Sequence, residues 1–267
     1  MGHPMYSSGM VRWVLAAVLV GTAVGQAARP RFEAFEVATV KASDESFQGR
    51  YIRMESDHRF VERNYSLKGL IAAAYDLNPK TISGGPGWGN TDHFDIEAVT
   101  PGDVRPTHDE QMAMLRALLK ERFGLGFHRE KREFSIYALE VAKGGAKLKA
   151  SASADTPPTV GPGVVYPDRI VLPGRNASLG ELASLLQRAI LDRPVVDETG
   201  IAGRFDFDLA WAPDETQFGG DVPKASETAP SLPLFAAIQE QMGLRLEARR
   251  GMVEAMVVDA VEKPSGN

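Results

Sequence analysis

Pairs of acidic residues separated by one position are the most suggestive chemical pattern in this sequence. Asp95 and Glu97 form one pair, and Asp206 and Asp208 form the other. In an extended strand such residues face the same side about 7 Å apart, a separation found between the two carboxyl groups of inverting glycosidases. Together with His93, the first pair would be the acid–base set of a secreted hydrolase. The simpler interpretation is the solvent-exposed face of a half-buried strand.

Other common catalytic chemistries find little support. The sequence contains no cysteine, which excludes a cysteine nucleophile, a thiolate zinc site, an iron–sulfur cluster and disulfide bonds. The histidines form neither an i, i+4 pair nor the HExxH pattern of a zinc-binding helix, and the G-x-S-x-G motif of a nucleophilic serine is missing. We therefore predict no metal and no cofactor, and we favour a non-catalytic role.

A glycine-rich run with one tryptophan, Ser83–Gly89, is the best candidate for ligand contact. Glycine permits positive φ angles and close backbone approach, and an indole ring can stack on a sugar. The run lacks the lysine of a phosphate-binding loop, which disfavours nucleotide binding. A tight turn covered by the tryptophan is the structural alternative. The candidate ligand-binding residues of this run are Gly84, Gly85, Pro86, Gly87 and Trp88.

A run of mixed charges occupies residues 128–133, and its pattern is typical of a solvated hairpin turn between two strands. Its glutamates offset its basic residues, and the whole chain has a formal net charge of −5 at pH 7. Both features disfavour nucleic acid as a partner.

Three further side chains complete the set of candidate ligand contacts: Tyr75, Arg122 and His128.

The chain contains two similar halves. Residues 63–70 return as residues 175–182, and an alternating strand follows each copy, at residues 94–97 and 205–208. A helix ending in Gly-Leu and a long apolar strand come next in both copies. The matching elements keep the same order, so we predict an internal duplication.

Periodic apolar residues assign both halves to the α+β class. They recur at helical spacing after Ser66 and after Ser178, and each serine is placed to cap its helix. Gly124 and Gly243 are predicted to end the second helix of each unit in the left-handed conformation. Two helices packed on a mostly antiparallel sheet would form each of two tandem units.

Composition divides the chain into successive segments. Residues 144–163 are rich in Gly, Ala, Ser and Pro, which is typical of a linker. A second loose stretch, residues 212–230, is predicted to be a mobile loop. The predicted segments are a signal peptide (1–27), a first α+β unit (28–143), the linker (144–163), a second α+β unit containing the loop (164–263) and a tail (264–267).

The first 27 residues have the pattern of a cleaved signal peptide. Arg12 precedes an apolar run over residues 13–24, and Gly25 and Ala27 offer small side chains at the two positions that a signal peptidase reads. The run is shorter than the about 20 apolar residues of a membrane span. The 267 residues are 43% hydrophobic and 24% charged, which is typical of a globular protein. We expect export to the periplasm or the extracellular space, with no membrane span in the mature form.

Motifs spread over the mature chain carry a family resemblance, at residues 35–41, 66–75, 83–88, 122–130, 137–139, 194–200 and 203–207. They resemble a family of bacterial proteins of unknown function that is abundant in Acidobacteria and described as soil-associated. The resemblance implies an exported protein and brings no established activity, substrate or catalytic residue. Related domains are attached in some proteins to membrane metallopeptidases of the antibiotic-sensor type, which suits a sensing or binding module.

A second resemblance concerns residues 234–246, where a helix runs into Gly-Leu and a strand. This segment is similar to the short N-terminal domains of secretins and TonB-dependent receptors, which are small α+β interaction modules of the envelope. We therefore predict a non-catalytic binding module that contacts an envelope or extracellular protein, or a glycan, through sheet edges or the groove between units. The alternatives are the secreted hydrolase and a purely structural partner with a broad apolar patch.

Overall fold

The structure of the chain is a computed structural model that describes residues 1–2 and 29–265, apart from residues 45, 48, 153–155, 162, 167 and 221–230. The fold belongs to the α+β class, as the sequence predicts, and consists of largely antiparallel sheets with packed helices. The predicted signal peptide lies outside the described residues except for Met1 and Gly2. The second part of the predicted loop, residues 221–230, also lies outside them.

The first half of the molecule, residues 29–143, contributes an antiparallel sheet with the strand order β1-β5-β3-β2. Two further strands of this half, β4 and β6, belong to a central sheet. The elements of this half are β1 (Val37–Ala42), β2 (Tyr51–Met54), β3 (Arg59–Ser66), α1 (Leu67–Ala74), β4 (Ile82–Gly84), α2 (Trp88–Thr91), β5 (His93–Val99), α3 (His108–Arg122) and β6 (Gly126–Val141).

The second half, residues 144–265, forms a sheet with the order β7-β12-β10-β8, and β9 also pairs with β10. Its elements are β7 (Lys149–Ala150), β8 (Thr159–Val160), β9 (Val164–Val165), β10 (Ile170–Ala177), α4 (Leu179–Leu185), β11 (Val195–Asp197), β12 (Phe205–Trp211), α5 (Leu234–Ala237) and β13 (Leu244–Ala260). Helices α4 and α5 continue into π-helical turns, Leu186–Ile190 and Ile238–Met242. Strands β7 and β8 lie inside the segment predicted as a linker, so part of that segment is built into the sheet.

The outer sheets of the two halves share an irregularity at the same place. The pairing of β3 with β5 shifts just before Tyr65, and the pairing of β10 with β12 shifts just before Ala177. Asn64 and Asn176 lie at these shifts with φ angles of 59° and 48°. Asparagine tolerates this left-handed conformation better than most residues because its short polar side chain bonds locally. Each shift therefore has the features of a β-bulge.

The same two contacts hold each asparagine. Its backbone N–H donates to an aspartate of the neighbouring strand, Asp95 at 3.1 Å in the first half and Asp206 at 2.9 Å in the second. Its side-chain amide donates to a backbone carbonyl, that of Gly49 at 2.8 Å or of Thr156 at 2.6 Å. The aspartates of the repeated acidic strands thus have a structural task in both halves.

The central sheet joins the two halves and has the strand order β11-β6-β13-β4. Strands β6 and β13 pair antiparallel over nearly their whole lengths, and Glu133 lies opposite Met252 near the middle. At the edges, β4 of the first half pairs parallel with β13 of the second, and β11 of the second half pairs parallel with β6 of the first. Each half therefore contributes an edge strand that pairs with the long strand of the other half.

The charged run at residues 128–133 lies inside β6, so its prediction as a hairpin turn is wrong. The hydrogen-bonded ladder with β13 continues through it without a break. Its side chains are mostly exposed because this stretch lies between the parts of β6 that face the two hydrophobic cores. Charges therefore mark an uncovered section of a strand here.

Each hydrophobic core draws on both long strands. The first core combines α1, α3 and the first sheet with Met256 and Val258, which belong to the end of β13. The second core combines α4, α5 and the second sheet with Leu139, which belongs to the end of β6, and with Leu244 and Leu246. Neither core is closed by its own half alone.

The predicted helix boundaries are confirmed. Ser66 and Ser178 cap α1 and α4, and each hydroxyl accepts a hydrogen bond at 3.2 Å from the backbone N–H three residues later. Gly124 follows α3 and Gly243 follows the π-helical turn after α5, with φ angles of 59° and 65°. These features depend on local backbone chemistry, which the sequence reports directly.

The first part of the predicted loop at residues 212–230 is anchored. The buried indole of Trp211 donates to the side chain of Gln217 at 2.7 Å, and Gln217 is itself 1% exposed. The backbone N–H of Ala212 donates to the carbonyl of Leu232 at 2.8 Å. Residues on both sides of 221–230 are therefore fixed to the end of β12.

Candidate functional site

The predicted acid–base residues act as hydrogen-bond acceptors within the first sheet. Asp95 accepts from the hydroxyl of Ser43 at 2.6 Å and from the backbone of Asn64 at 3.1 Å. Glu97 pairs with Arg63, and this hydrogen bond lowers the pKa of Glu97 below its ordinary value. A general acid needs a raised pKa, so Glu97 is poorly suited to that role.

Trp88 and the two carboxylates lie on opposite sides of β5. The indole packs edge-on against Phe94, with ring centroids 6.2 Å apart, and Phe94 is buried in the first core. Asp95 and Glu97 alternate with Phe94 and therefore face the other side of the strand, as does the exposed His93. The three side chains of the hydrolase hypothesis therefore do not share a pocket with Trp88.

The glycines of the run after β4 permit a close approach to β13. Gly84 pairs with Val258 and has a φ angle of 79°, and a Cβ atom added there would lie 2.4 Å from the carbonyl oxygen of Val258. Gly85 has a φ angle of 72°, and its Cβ would lie 3.3 Å from the Val258 side chain. Pro86 and Gly87 lead into α2. Backbone packing therefore accounts for the first two glycines without a ligand.

Tyr75 is enclosed by side chains of the first half. The guanidinium groups of Arg116 and Arg129 lie 5.8 Å and 5.7 Å from the centre of its ring, which packs edge-on against Phe127 at a centroid distance of 5.1 Å. Burial raises the pKa of Tyr75 above its ordinary value. These contacts stabilise the junction of α1, α3 and β6.

His128 and Arg122 have other neighbours. The Nδ1 atom of His128 lies 2.9 Å from a carboxylate oxygen of Asp259, and both side chains are about half exposed. Arg122 donates to the carbonyl of Ala38 at 3.2 Å and lines a cleft of about 220 Å³ between the start of β1 and the end of α3. Of the predicted ligand contacts, Gly84 and His128 lie beside the same end of β13, whereas Arg122 lies at the cleft beside β1.

The second sheet has an open edge that the first sheet lacks. Strand β1 pairs with β5 along all six of its residues. Strand β7, at the same place in the second sheet, pairs with β12 only at Phe205 and Asp206. Among the described residues, no strand lies beside residues 207–211 on that side. Unpaired backbone groups at a sheet edge form a template for another strand.

One side chain covers part of this edge. The N–H of Ala210 donates to Oε1 of Gln241 at 2.9 Å, and Nε2 of Gln241 donates to the Ala210 carbonyl at 2.6 Å. Alternate residues of a strand direct their backbone groups to opposite sides, so those of Asp208 face the same edge as those of Ala210. Within the described ranges, no backbone group bonds to Asp208 there, and its side chain is 56% exposed.

Gln241 and Arg122 occupy corresponding positions, each two residues before the glycine that ends its helix. In the first half, Arg122 reaches the Ala38 carbonyl in β1. In the second half, the chain before β7 turns towards the helix end, where the Lys147 N–H donates to the Met242 carbonyl at 2.8 Å. Among the described residues, the place that β1 fills in the first sheet is therefore left without a strand along residues 207–211, as far as Ala212, where Leu232 and Pro233 pair with the end of β12.

A repeated tripeptide in the sequence marks the start of this edge, although neither the repeat of residues 63–70 nor the apolar periodicity points to it. The tripeptide Lys-Ala-Ser at residues 41–43 recurs at residues 149–151. Lys41 lies opposite Asp95, and Lys149 lies opposite Asp206, so the tripeptide marks the same strand in both sheets. The residues before Lys149 do not repeat those before Lys41. The point where the repeat stops coincides with the start of the open edge.

Comparison with known proteins gives one match. A family model described as "Protein of unknown function (DUF3738)" matches residues 68–261, from α1 through β13, which includes the open edge. No curated protein and no solved structure matches the chain. In the part of the chain that the structure describes, no helix is long and apolar enough to cross a membrane. The same part holds no group of three or more His, Asp or Glu side chains that could bind a metal ion.

Proposed function

The chain belongs to the DUF3738 family of proteins of unknown function, and we propose that it is a non-catalytic interaction protein that binds an extended polypeptide at the open edge of β12. The observation that carries this proposal is the backbone of Asp208, which has no partner on this edge among the described residues, whereas its counterpart Glu97 pairs with β1 in the other sheet. When the Gln241 side chain moves away, Ala210 adds its own N–H and C=O. A bound strand gains main-chain hydrogen bonds from both residues.

We further propose that the two halves derive from duplication of one α+β unit. The shared strand order of the outer sheets, the bulges at Asn64 and Asn176 and the exchanged edge strands β4 and β11 support this origin. The open edge is then the site at which the second copy lacks most of its first strand. A binding function in one copy explains why the two copies differ there.

Export through the signal peptide at residues 1–27 is part of the proposal, and it rests on the sequence pattern alone. The partner is then a protein of the envelope or the extracellular space. A glycan partner and the hydrolase alternative have no comparable support among the described residues, since Trp88 packs on Phe94 and the pKa of Glu97 is lowered.

The proposal is tested by selecting binders from a library of displayed random peptides on the immobilised mature chain. Asp208→Pro removes the edge-facing N–H, and Asp208→Asn is the matched control because it also loses the ion pair with Arg175 but keeps that N–H. Selected peptides are expected to bind the wild type and Asp208→Asn alike, and Asp208→Pro about tenfold more weakly or worse. Equal binding to all three proteins, an empty selection, or cleavage of a polysaccharide by the chain would overturn the proposal.

A further inference from the structure

We infer that the polypeptide at the open edge lies antiparallel to β12 and that Gln241 changes its hydrogen-bond partner when it binds. The carboxamide releases Ala210 and donates instead to a carbonyl of the bound strand. This inference rests on the proposed function and adds the direction of the ligand, its side-chain pattern and the residue that controls entry.

The direction of the bound strand is inferred from the first sheet, where β1 occupies the corresponding edge. Strand β1 runs antiparallel to β5, with Val37 opposite Val99 and Thr39 opposite Glu97. The register shifts and the paired aspartates place Val99 and Glu97 at the positions of Ala210 and Asp208. The short β7 also pairs antiparallel with β12. A strand that continues the line of β7 along the edge therefore has the same direction.

The same comparison defines the side chains that fit. In β1, Val40 is buried and Ala38 packs against the first core, whereas the hydroxyl of Thr39 faces outwards. In the second half, Leu148, directly before β7, packs against the second core as Val40 does against the first. The bound strand needs a small apolar residue at the position of Ala38, and it accepts a polar residue at the position of Thr39. An extended peptide with alternating small apolar and polar residues meets these conditions.

The chemistry of the two helix residues explains the change of partner. Arg122 has only donors, so it cannot accept from a strand N–H, and it donates to the Ala38 carbonyl of the strand beside it. Gln241 has both a donor and an acceptor and uses both on Ala210. When a strand occupies the edge, Ala210 gains backbone partners and the Gln241 amide is free to donate as Arg122 does. Gln241 thus bonds to the backbone of Ala210 in the free protein and to a carbonyl of the bound strand in the complex.

The experiment measures the affinity of a fluorescent peptide with the sequence of residues 36–39, Glu-Val-Ala-Thr, for the mature chain, because Leu232 and Pro233 already pair with Ala212 at the far end of the edge. The control peptide has the same residues in reverse order. The forward peptide is expected to bind the wild type at least about tenfold more tightly than the reversed one. Gln241→Arg, which cannot accept from Ala210, is expected to tighten binding about three- to tenfold, and Gln241→Glu, which cannot donate to the ligand, to weaken it.

Asp208→Pro and Asp208→Asn locate the peptide, with thermal unfolding of each variant as a check of folding. Binding that survives Asp208→Pro would place the peptide in the first sheet, in exchange with β1, and would overturn the inference. Equal affinity for the two peptides, or no gain from Gln241→Arg, would also overturn it. If library-selected peptides still respond to Asp208→Pro in that case, the proposed function stands and only the inferred direction and the role of Gln241 fail.

Discussion

Glu62 is a carboxyl group buried in the first sheet. Its side chain is 0% exposed, neither carboxyl oxygen has a side-chain partner among the described residues, and the backbone N–H of Tyr65 is its hydrogen-bonding neighbour. It lies opposite Ile96, whereas the second half has Gly174 opposite Phe207 at the same place. The Phe207 ring fills that space, since a Cβ on Gly174 would lie 2.2 Å from it. The burial of Glu62 cannot be read from the sequence, because the residues that pack over this strand position are distant along the chain.

Burial, reinforced by the negative charge of Asp95, raises the pKa of Glu62 well above its ordinary value of 4.5. A carboxyl whose pKa is raised on folding holds its proton in the folded state after the unfolded state has lost it. The free energy of unfolding therefore falls as the pH rises from about 4.5 through the folded-state pKa. Glu62→Gln is expected to remove this fall and to stabilise the chain at pH 8 by about 1–3 kcal/mol, as measured by urea unfolding between pH 4 and 8.

Glu97→Gln is the control for this measurement. Arg63 lowers the pKa of Glu97, so the contribution of Glu97 to stability depends on pH in the opposite sense to that of Glu62. The stabilising contribution of Glu97 is present above its ordinary pKa and is lost as the pH falls. The variant should therefore lose stability at neutral pH and approach the wild type in acid. A wild-type chain whose stability does not decline above pH 4.5, or a Glu62→Gln variant that declines equally, would contradict the raised pKa of this buried carboxyl.

At the scale of secondary-structure elements, the sequence predicts the features that depend on a few neighbouring residues. The caps at Ser66 and Ser178 and the stops at Gly124 and Gly243 depend on a few neighbouring residues, and all are found. The pairing of β4 with β13 joins residues more than 170 positions apart, and no local pattern reports it. The sequence therefore singles out the glycine run after β4, as a ligand contact or as a tight turn, but does not indicate that its contacts are with β13.

Gly84→Ala and Gly87→Ala separate these two roles of the run. A Cβ on Gly84 would collide with the Val258 backbone at a φ angle of 79°, whereas a Cβ on Gly87 meets nothing within 4 Å. Gly84→Ala is expected to lower the free energy of unfolding by more than about 1–2 kcal/mol, and Gly87→Ala to change it by less than about 1 kcal/mol. Equal stability of the two variants in urea would contradict the structural role of Gly84.

At the scale of the whole molecule, the two halves depend on each other through the central sheet. Met256 and Val258 from the second half are buried in the first core, and Leu139 from the first half is buried in the second. Loss of either long strand would open both cores, and each buried aliphatic side chain of this kind contributes about 2–5 kcal/mol. Two units that appear as successive segments in the sequence are therefore expected to unfold together.

The tryptophans report on each half separately. Trp88 lies in the first half and Trp211 in the second, and the third tryptophan, Trp13, is in the predicted signal peptide. In the mature Trp88→Phe and Trp211→Phe variants, the single remaining indole is expected to change fluorescence at the same urea concentration as the loss of far-ultraviolet circular dichroism. A fluorescence transition that separates from the dichroism transition in either variant would show independent unfolding.

The open edge of β12 is the feature on which the functional account depends, and backbone amide exchange of the free protein tests it most directly. By strand alternation, the Asp208 N–H faces the empty edge, whereas the Leu209 N–H faces β10 and the Glu97 N–H of the first sheet faces β1. In residue-resolved hydrogen exchange by NMR, we expect Asp208 to exchange much faster than Leu209 and Glu97. Protection of Asp208 equal to that of its two counterparts would mean that the edge is already covered, and would contradict the account.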